Sequence, residues 1–304
     1  MTMTVEERIH ATPKEKRNLY QQYSLEDEIE RLAYHYDVPC DFFAIITGGK
    51  WHTYSGSVFS PGDSMTKAQE RKLDIFARLM QLKPGMKILD VGSGWGGPLV
   101  YLCHQYGVQG VGITVTEKQI SFSEDRARHY GVNAQFYLSH WETFEHPTLF
   151  DAIFTDEVVV HFNDLSGFFK KCATLLQPDG LVVNKELHLT HGKFKDWSDP
   201  LGVHVNKVYG FTGNYRLLQE EIDCAQQGGF SLREKVDIPM EHYHHTVQHH
   251  WIKNLIDNRD ILIDMTSEQH VRDFYKYLRC TLVSFRRNVF EQNILSFQKA
   301  SNES

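Results

Sequence analysis

The chain has 304 residues, 41% of them hydrophobic and 23% charged, a balance that can bury a sizeable core and fits one large domain or two modest ones. A formal charge of −7 with no dense run of lysine or arginine argues against nucleic acid or an anionic membrane surface as the main partner, and favours a small-molecule substrate. No stretch approaches the apolar run of a membrane span, and "MTMTVEERIHATPKEKR" lacks the apolar centre of a secretory signal, so a cytoplasmic protein without stable membrane insertion is expected.

Ser24 is a candidate N-cap for a helix through "SLEDEIERLAYHY", which sets Leu25, Ile29, Leu32 and Tyr36 on one face before Pro39 ends the pattern. Residues 41–63 are aromatic and glycine-rich and read as a loop, so that residues 1–65 form an N-terminal helical lid and aromatic loop. Thr66 with Gln69 makes a capping box for a helix carrying Leu73, Phe76, Ala77 and Met80, and "KPG" turns the chain into its first clear strand. Strands "KILDVG", "GVGITV", "AQFYLS", "DAIFTD" and "GLVVNKEL" then alternate with helices, with one break where two strands follow each other. This alternation predicts a parallel sheet with helices on both faces, an α/β core over residues 66–240. Residues 189–220 are irregular and read as an insertion roofing the substrate. Residues 241–304 read as C-terminal helices packing on the core, one lined by Val247, Trp251 and Leu255, the other by Val271, Phe274, Tyr275, Leu278, Leu282 and Phe285.

Cys40, Cys103, Cys172, Cys224 and Cys280 are odd in number and widely spaced, which suggests reduced thiols rather than a disulfide framework or zinc ribbon. The histidines of "EHYHHTVQHHW" spread over different helical faces with no acid or cysteine to complete a site, so no protein metal site is expected.

"ILDVGSGWGG" places Gly92, Gly94 and Gly96 directly after a strand and at the start of a helix, where backbone must approach a ligand closely. With "YHYDVPCDFF", "TYSGSVF", "GVGITVTEKQ", "SHWETF" and "HYHHTVQHHWIKNLIDNRD", the sequence resembles the class I S-adenosylmethionine-dependent methyltransferases over nearly its whole length, and more closely their cyclopropane-fatty-acid-synthase-like branch. The resemblance implies a Rossmann-like class I methyltransferase sheet with an N-terminal helical lid and C-terminal helices. It also implies S-adenosylmethionine as cofactor, with Gly92 and Gly94 beneath its amino-acid part, Thr114 and Gln119 around ribose and carboxylate, Trp141 beside the adenine, and Tyr54 and Ser55 in a loop folding over it.

Asp156 and Glu157 end a strand whose carboxyl end faces the ligand crevice, which makes Glu157 a candidate proton acceptor and Asp156 a candidate base or helix cap. Cyclopropane synthases hold a bicarbonate base partly with a glutamate directly before a histidine and with a cysteine in the loop before the sheet. This chain has Val160 before His161 and Gly56 at the cysteine position, while His191 and Tyr243 resemble the rest of that site. Prenyl diphosphate C-methyltransferases, including the farnesyl diphosphate methyltransferases of the pre-sodorifen type, carry a glutamate that matches Glu157. Alkaloid N-methyltransferases match both Glu157 and His161.

The expectation is therefore methylation of a prenyl diphosphate double bond, farnesyl or geranyl, through a carbocation that can cyclise. The cation would lose its proton to His191 or Glu157, with Tyr54 and His161 orienting the base. Phe42, Trp51, Tyr54, Phe59, Tyr209, Phe211, Tyr215 and Tyr243 are candidate rings around the cation. Lys185, Lys207 and Arg216 are candidate diphosphate ligands, with Mg²⁺ as a further counter-charge. His188 and His204 read as ordinary, partly buried histidines. N-methylation of an amine, cyclopropane-type lipid methylation, a non-catalytic scaffold and a homo-oligomer all stay open.

Overall fold

A computed structural model describes residues 24–36, 38–195, 204, 208 and 213–300; the candidates Lys207, Tyr209 and Phe211 lie outside the described residues. The parallel strands are β1 (Lys87–Val91), β2 (Gln109–Thr114), β3 (Ala134–Leu138), β4 (Phe150–Asp156) and β5 (Leu176–Leu189). Two more, β6 (Phe230–Ile238) and β7 (Phe290–Lys299), complete a seven-stranded sheet ordered β3-β2-β1-β4-β5-β7-β6, with β7 antiparallel to both its neighbours.

Apolar runs in β1 and β4 are buried on both faces, as a sheet sandwiched between helices requires. Ile88 and Phe154 join a core with α3 (Met65–Leu79), α4 (Gly97–Tyr106) and α5 (Glu117–Tyr130). Their neighbours Leu89 and Ile153 point the other way, into a core with α6 (Leu165–Leu175) and Ala225 of α7 (Leu218–Gln227). A third core lies between the lid helices α1 (Leu25–Tyr36) and α2 (Cys40–Thr47) and the later helices. These are α8 (Met240–His245), a π-helical turn (Thr246–Trp251), α9 (Ile252–Asp257), α10 (Arg259–Met265) and α11 (Glu268–Arg286).

The fold departs from the sequence expectation in three places. "CDFFAIIT" is helical rather than looped: Phe42, Phe43 and Ile46 sit at helix spacing and are buried, and Gly48, at φ 59°, ends the helix. α3 is capped by Ser64, whose hydroxyl accepts the Lys67 N–H; Thr66 and Gln69 instead accept the N–H groups of Lys50 and Trp51 at 3.0 and 3.1 Å. They stitch the preceding loop to α3. Residues 241–304 supply an interior strand as well as helices, since β7 lies between β5 and β6.

Among the described residues no helix is long and apolar enough to cross a membrane. Phe297 on β7 is fully buried, with its ring 5.2 Å from that of Phe169. Phe297→Ala should lower unfolding free energy by about 3–5 kcal/mol, read from the urea midpoint; a loss under about 1 kcal/mol would contradict the interior position of β7.

Candidate active site

At the carboxyl ends of β1, β2 and β4 the sheet opens into a cavity of about 970 Å³, the open solvent at its mouth included. Its floor is the turn after β1, where Gly92 and Gly94 adopt φ 79° and 51°. A Cβ on Gly92 would come within 2.6 Å of Val158, whereas a Cβ on Gly94 would meet no atom within 4 Å and would stand in the cavity space itself. Leu32 and Tyr36 of α1 cover it, and residues 52–55 form a further wall. That loop docks on the glycine turn so tightly that a Cβ on Gly97 would lie 1.7 Å from the Trp51 carbonyl oxygen.

Four buried polar atoms without a protein partner, Thr53 Oγ1, Asp90 Oδ2, Ser93 Oγ and Trp141 Nε1, belong to residues that line this cavity. Buried polar groups are rarely left unsatisfied, so the cavity is built for a polar ligand. Thr114 donates its hydroxyl to Gln119 Oε1 at 2.6 Å, which leaves the Gln119 amide N–H groups as donors. Burial, and then the charge of Asp156, push the Asp90 carboxyl well above the usual range. This donor set and the glycine cradle suit the amino-acid and nucleoside ends of S-adenosylmethionine.

Beside the cradle stands a buried cluster of four charges. Lys72 of α3 bonds Asp156 Oδ2 at 2.5 Å, and Ser55 donates to the same oxygen at 2.7 Å. Lys185 of β5 contacts Asp156 at 3.3 Å and Glu157 more closely. Burial would raise the Asp156 carboxyl, but Lys72 and Lys185 outweigh it and hold it below its ordinary value. Burial would likewise lower the Lys185 ammonium, but Glu157 and Asp156 hold it raised. Glu157 takes up a left-handed φ of 60° and is gripped by four donors. Its Oε1 accepts from Gly56 N–H at 2.9 Å, Gln292 at 2.8 Å and Lys185, and its Oε2 accepts the Tyr243 hydroxyl at 2.5 Å. Nearby, burial and then Glu157 raise the Glu186 carboxyl to about 8. His161 lines the cavity and burial lowers it to about 4, so it is neutral at pH 7.

The cavity brings together Tyr54, Ser55, Gly92, Gly94, Thr114, Gln119, Trp141, Glu157 and His161; Tyr243 reaches it through Glu157. His191 is placed elsewhere: it is exposed, and its Nδ1 accepts the Lys193 N–H at 2.9 Å. Trp51 is buried against Tyr101 and Tyr130, Phe42 against Phe43 and Phe274, and Phe59 stacks on His250. Tyr215 packs on Phe290. Of the candidate rings, Tyr54 lines the cavity, where Trp141 also stands; Tyr36, Trp95 and Phe162 join them. Neither described candidate for a diphosphate is available. Lys185 is fully buried in its ion pairs, and Arg216 donates to the carbonyls of Val159, Phe162 and Asn214 at 3.1, 2.5 and 2.9 Å. Nor is His188 ordinary: its Nε2 faces Glu221 at 2.8 Å in full burial.

No group of three or more His, Cys, Asp or Glu side chains among the described residues is arranged to hold a metal ion. Sequence reasoning missed Lys72 and Gln292. The spacing of four residues from Ala68 and to Phe76, both buried, was the signal for Lys72.

The profile of the mycolic acid cyclopropane synthetase family matches residues 23–294. The chain belongs to that family. It is 28% identical over 284 residues to hydroxymycolate synthase MmaA4 of Mycobacterium tuberculosis, across 89% of this chain and 92% of that protein. To cyclopropane mycolic acid synthase MmaA2 of the same organism it is 27% identical over 292 residues, across 90% and 99%. The solved structure of mycolic acid cyclopropane synthase CmaA1 with SAH and CTAB superposes with a TM-score of 0.81 at 24% identity, covering 89% of this chain and 98% of that one. As a member of the mycolic acid cyclopropane synthetase family, the chain is an S-adenosylmethionine-dependent methyltransferase.

The buried Asp90 carboxyl gives a pH signature. Above its unfolded pKa of about 3.9 the unfolded chain releases a proton that the folded chain keeps, so the Asp90 contribution to stability is lost as pH rises towards the folded value. Without cofactor, Asp90→Asn should therefore gain in melting temperature relative to wild type between pH 5 and pH 8. A difference that does not change with pH would refute the assignment.

Proposed function

We propose that the enzyme methylates a carbon of a carbon–carbon double bond in an apolar, lipid-like chain. The observation that carries this reading is the pairing, in one cavity, of a cofactor cradle with the rings of Tyr36, Tyr54 and Trp95 and the carboxylate of Glu157. Phe43, Trp251 and Phe274 pack behind Tyr54 and hold its ring in place, at 4.9, 5.1 and 6.3 Å. When bound, S-adenosylmethionine supplies an electrophilic methyl group.

The chain's own residues position the alkene and shield the substrate from water. Positive charge left on the substrate carbon is stabilised by ring faces, each by about 2 kcal/mol when water is excluded. The Glu157 carboxylate adds Coulombic stabilisation and accepts the proton lost from the carbon next to the cation. Such a proton is far more acidic than a carboxylic acid, so a carboxylate weakened by four donors still suffices. The Tyr243 hydroxyl, Gln292, Lys185 and the Gly56 N–H keep the carboxylate in position, and neutral His161 lines the same cavity.

Support for a lipid chain over a prenyl diphosphate comes from the family and from the candidate diphosphate ligands Lys185 and Arg216, which are engaged with the protein's own acids and carbonyls. Support for carbon over nitrogen comes from the match to the mycolic acid cyclopropane synthetase family. Incubation with S-adenosylmethionine and separate unsaturated acyl lipids, prenyl diphosphates and amines, followed by mass spectrometry, tests the reading. A gain of one CH₂ on the lipid is expected; methylated amine or methylated diphosphate alone would overturn it.

Glu157→Gln preserves shape and should lower kcat about 10²–10⁴-fold. Affinity for S-adenosylmethionine should stay within about three-fold, since four protein donors already occupy the two oxygens of Glu157. Full activity in this variant would remove Glu157 as the base.

A further inference from the structure

Arg126 on α5 is only 8% exposed, and no carboxylate of the described residues forms an ion pair with it. Its Nη1 donates to the Lys50 carbonyl at 3.1 Å, its Nη2 meets His52 Nδ1 at 2.7 Å, and its Nε has no partner. A guanidinium only donates, so His52 Nδ1 is the acceptor and the imidazole carries its proton on Nε2. Burial, and then the Arg126 charge, lower the His52 pKa to about 4 and keep the ring neutral. His52 lines the cavity, and no described residue accepts from its Nε2–H.

The other buried cations next to the cavity, Lys72 and Lys185, face Asp156 and Glu157. Arg126 is thus a buried charge without a countercharge, an arrangement that is costly until an anion joins it. Its relay, His52, comes directly after the Trp51 carbonyl that presses on Gly97 at the start of α4. It therefore stands beside the glycine turn and a helix N-terminus, which also favour negative charge. S-adenosylmethionine carries a single anionic group, its carboxylate; the sulfonium and ammonium are both positive.

We propose that His52, backed by Arg126, receives the carboxylate of the amino-acid end of S-adenosylmethionine, which leaves Thr114 and Gln119 to the ribose. The assignment rests on the cavity being the cofactor site. His52 Nε2–H donates to the carboxylate, and Arg126 polarises that donor while fixing its tautomer.

Decarboxylated S-adenosylmethionine lacks only the group in question, so calorimetric titration with both compounds isolates it. Wild type should bind S-adenosylmethionine about ten-fold or more tighter than the decarboxylated compound. Arg126→Met and His52→Asn should each erase most of that preference while binding the decarboxylated compound as wild type does, which also shows that the cavity is intact. Should Arg126→Met fail to fold, His52→Asn decides, because Asn tolerates the φ of 48° at that position. Equal weakening toward both compounds, or no weakening toward either, would overturn the proposal. Failure of wild type to bind either compound would instead overturn the cofactor reading, and this assignment with it.

Discussion

Two lysines and two carboxylates share a largely buried space at the end of β4, and the geometry of the site depends on their mutual neutralisation. Each buried charge would cost several kcal/mol alone, so Lys72, Asp156, Lys185 and Glu157 fix one another's positions. Through hydrogen bonds the same cluster fastens Ser55 and Gly56 of the loop over the cavity, Tyr243 of α8 and Gln292 of β7. Elements far apart in sequence are thereby registered against the glycine turn. The cluster answers why a buried strand should end on two acids: they anchor the walls of the cavity as well as lining it.

Much of the sheet was legible because its parallel strands are short apolar runs separated by turn residues and amphipathic helices. β6 and β7 were not. Phe230–Ile238 is rich in charge, and Phe290–Lys299 interrupts its apolar run with Gln292 and Asn293, both buried. The cofactor side of the cavity was legible because glycines at a turn are there for backbone reasons that sequence exposes. Its substrate side was less so. An aromatic-rich segment does not reveal which way its rings face: Phe42, Trp51 and Phe59 went to packing, while Tyr36 and Trp95 reached the cavity. His191 was placed by resemblance, and no local signal indicated that it would end on an exposed turn.

Gly56 and Glu157 make sense as a pair. A Cβ at position 56 would stand 2.8 Å from Tyr243 Cγ and 3.1 Å from the Gln292 amide, so a side chain there would displace two of the groups that hold the carboxylate. The Gly56 N–H and Tyr243 hydroxyl, positions that resemble the anion-holding part of a cyclopropane synthase, here grip an acid covalently part of the chain. Val160, where those enzymes have a glutamate, is buried, and its N–H is taken by Glu186 Oε2 at 3.0 Å.

The position of β7 bears on how the polypeptide comes off the ribosome. The strand between β5 and β6 is drawn from residues 290–299, so β6 has no partner in the sheet until that stretch emerges. Nascent chains that stop short of it present two unpaired edges, at β5 and β6, and a Glu157 lacking its Gln292 donor. Synthesis must therefore run through the codons for β7 before the sheet closes, leaving a window in which chaperone capture competes with self-association.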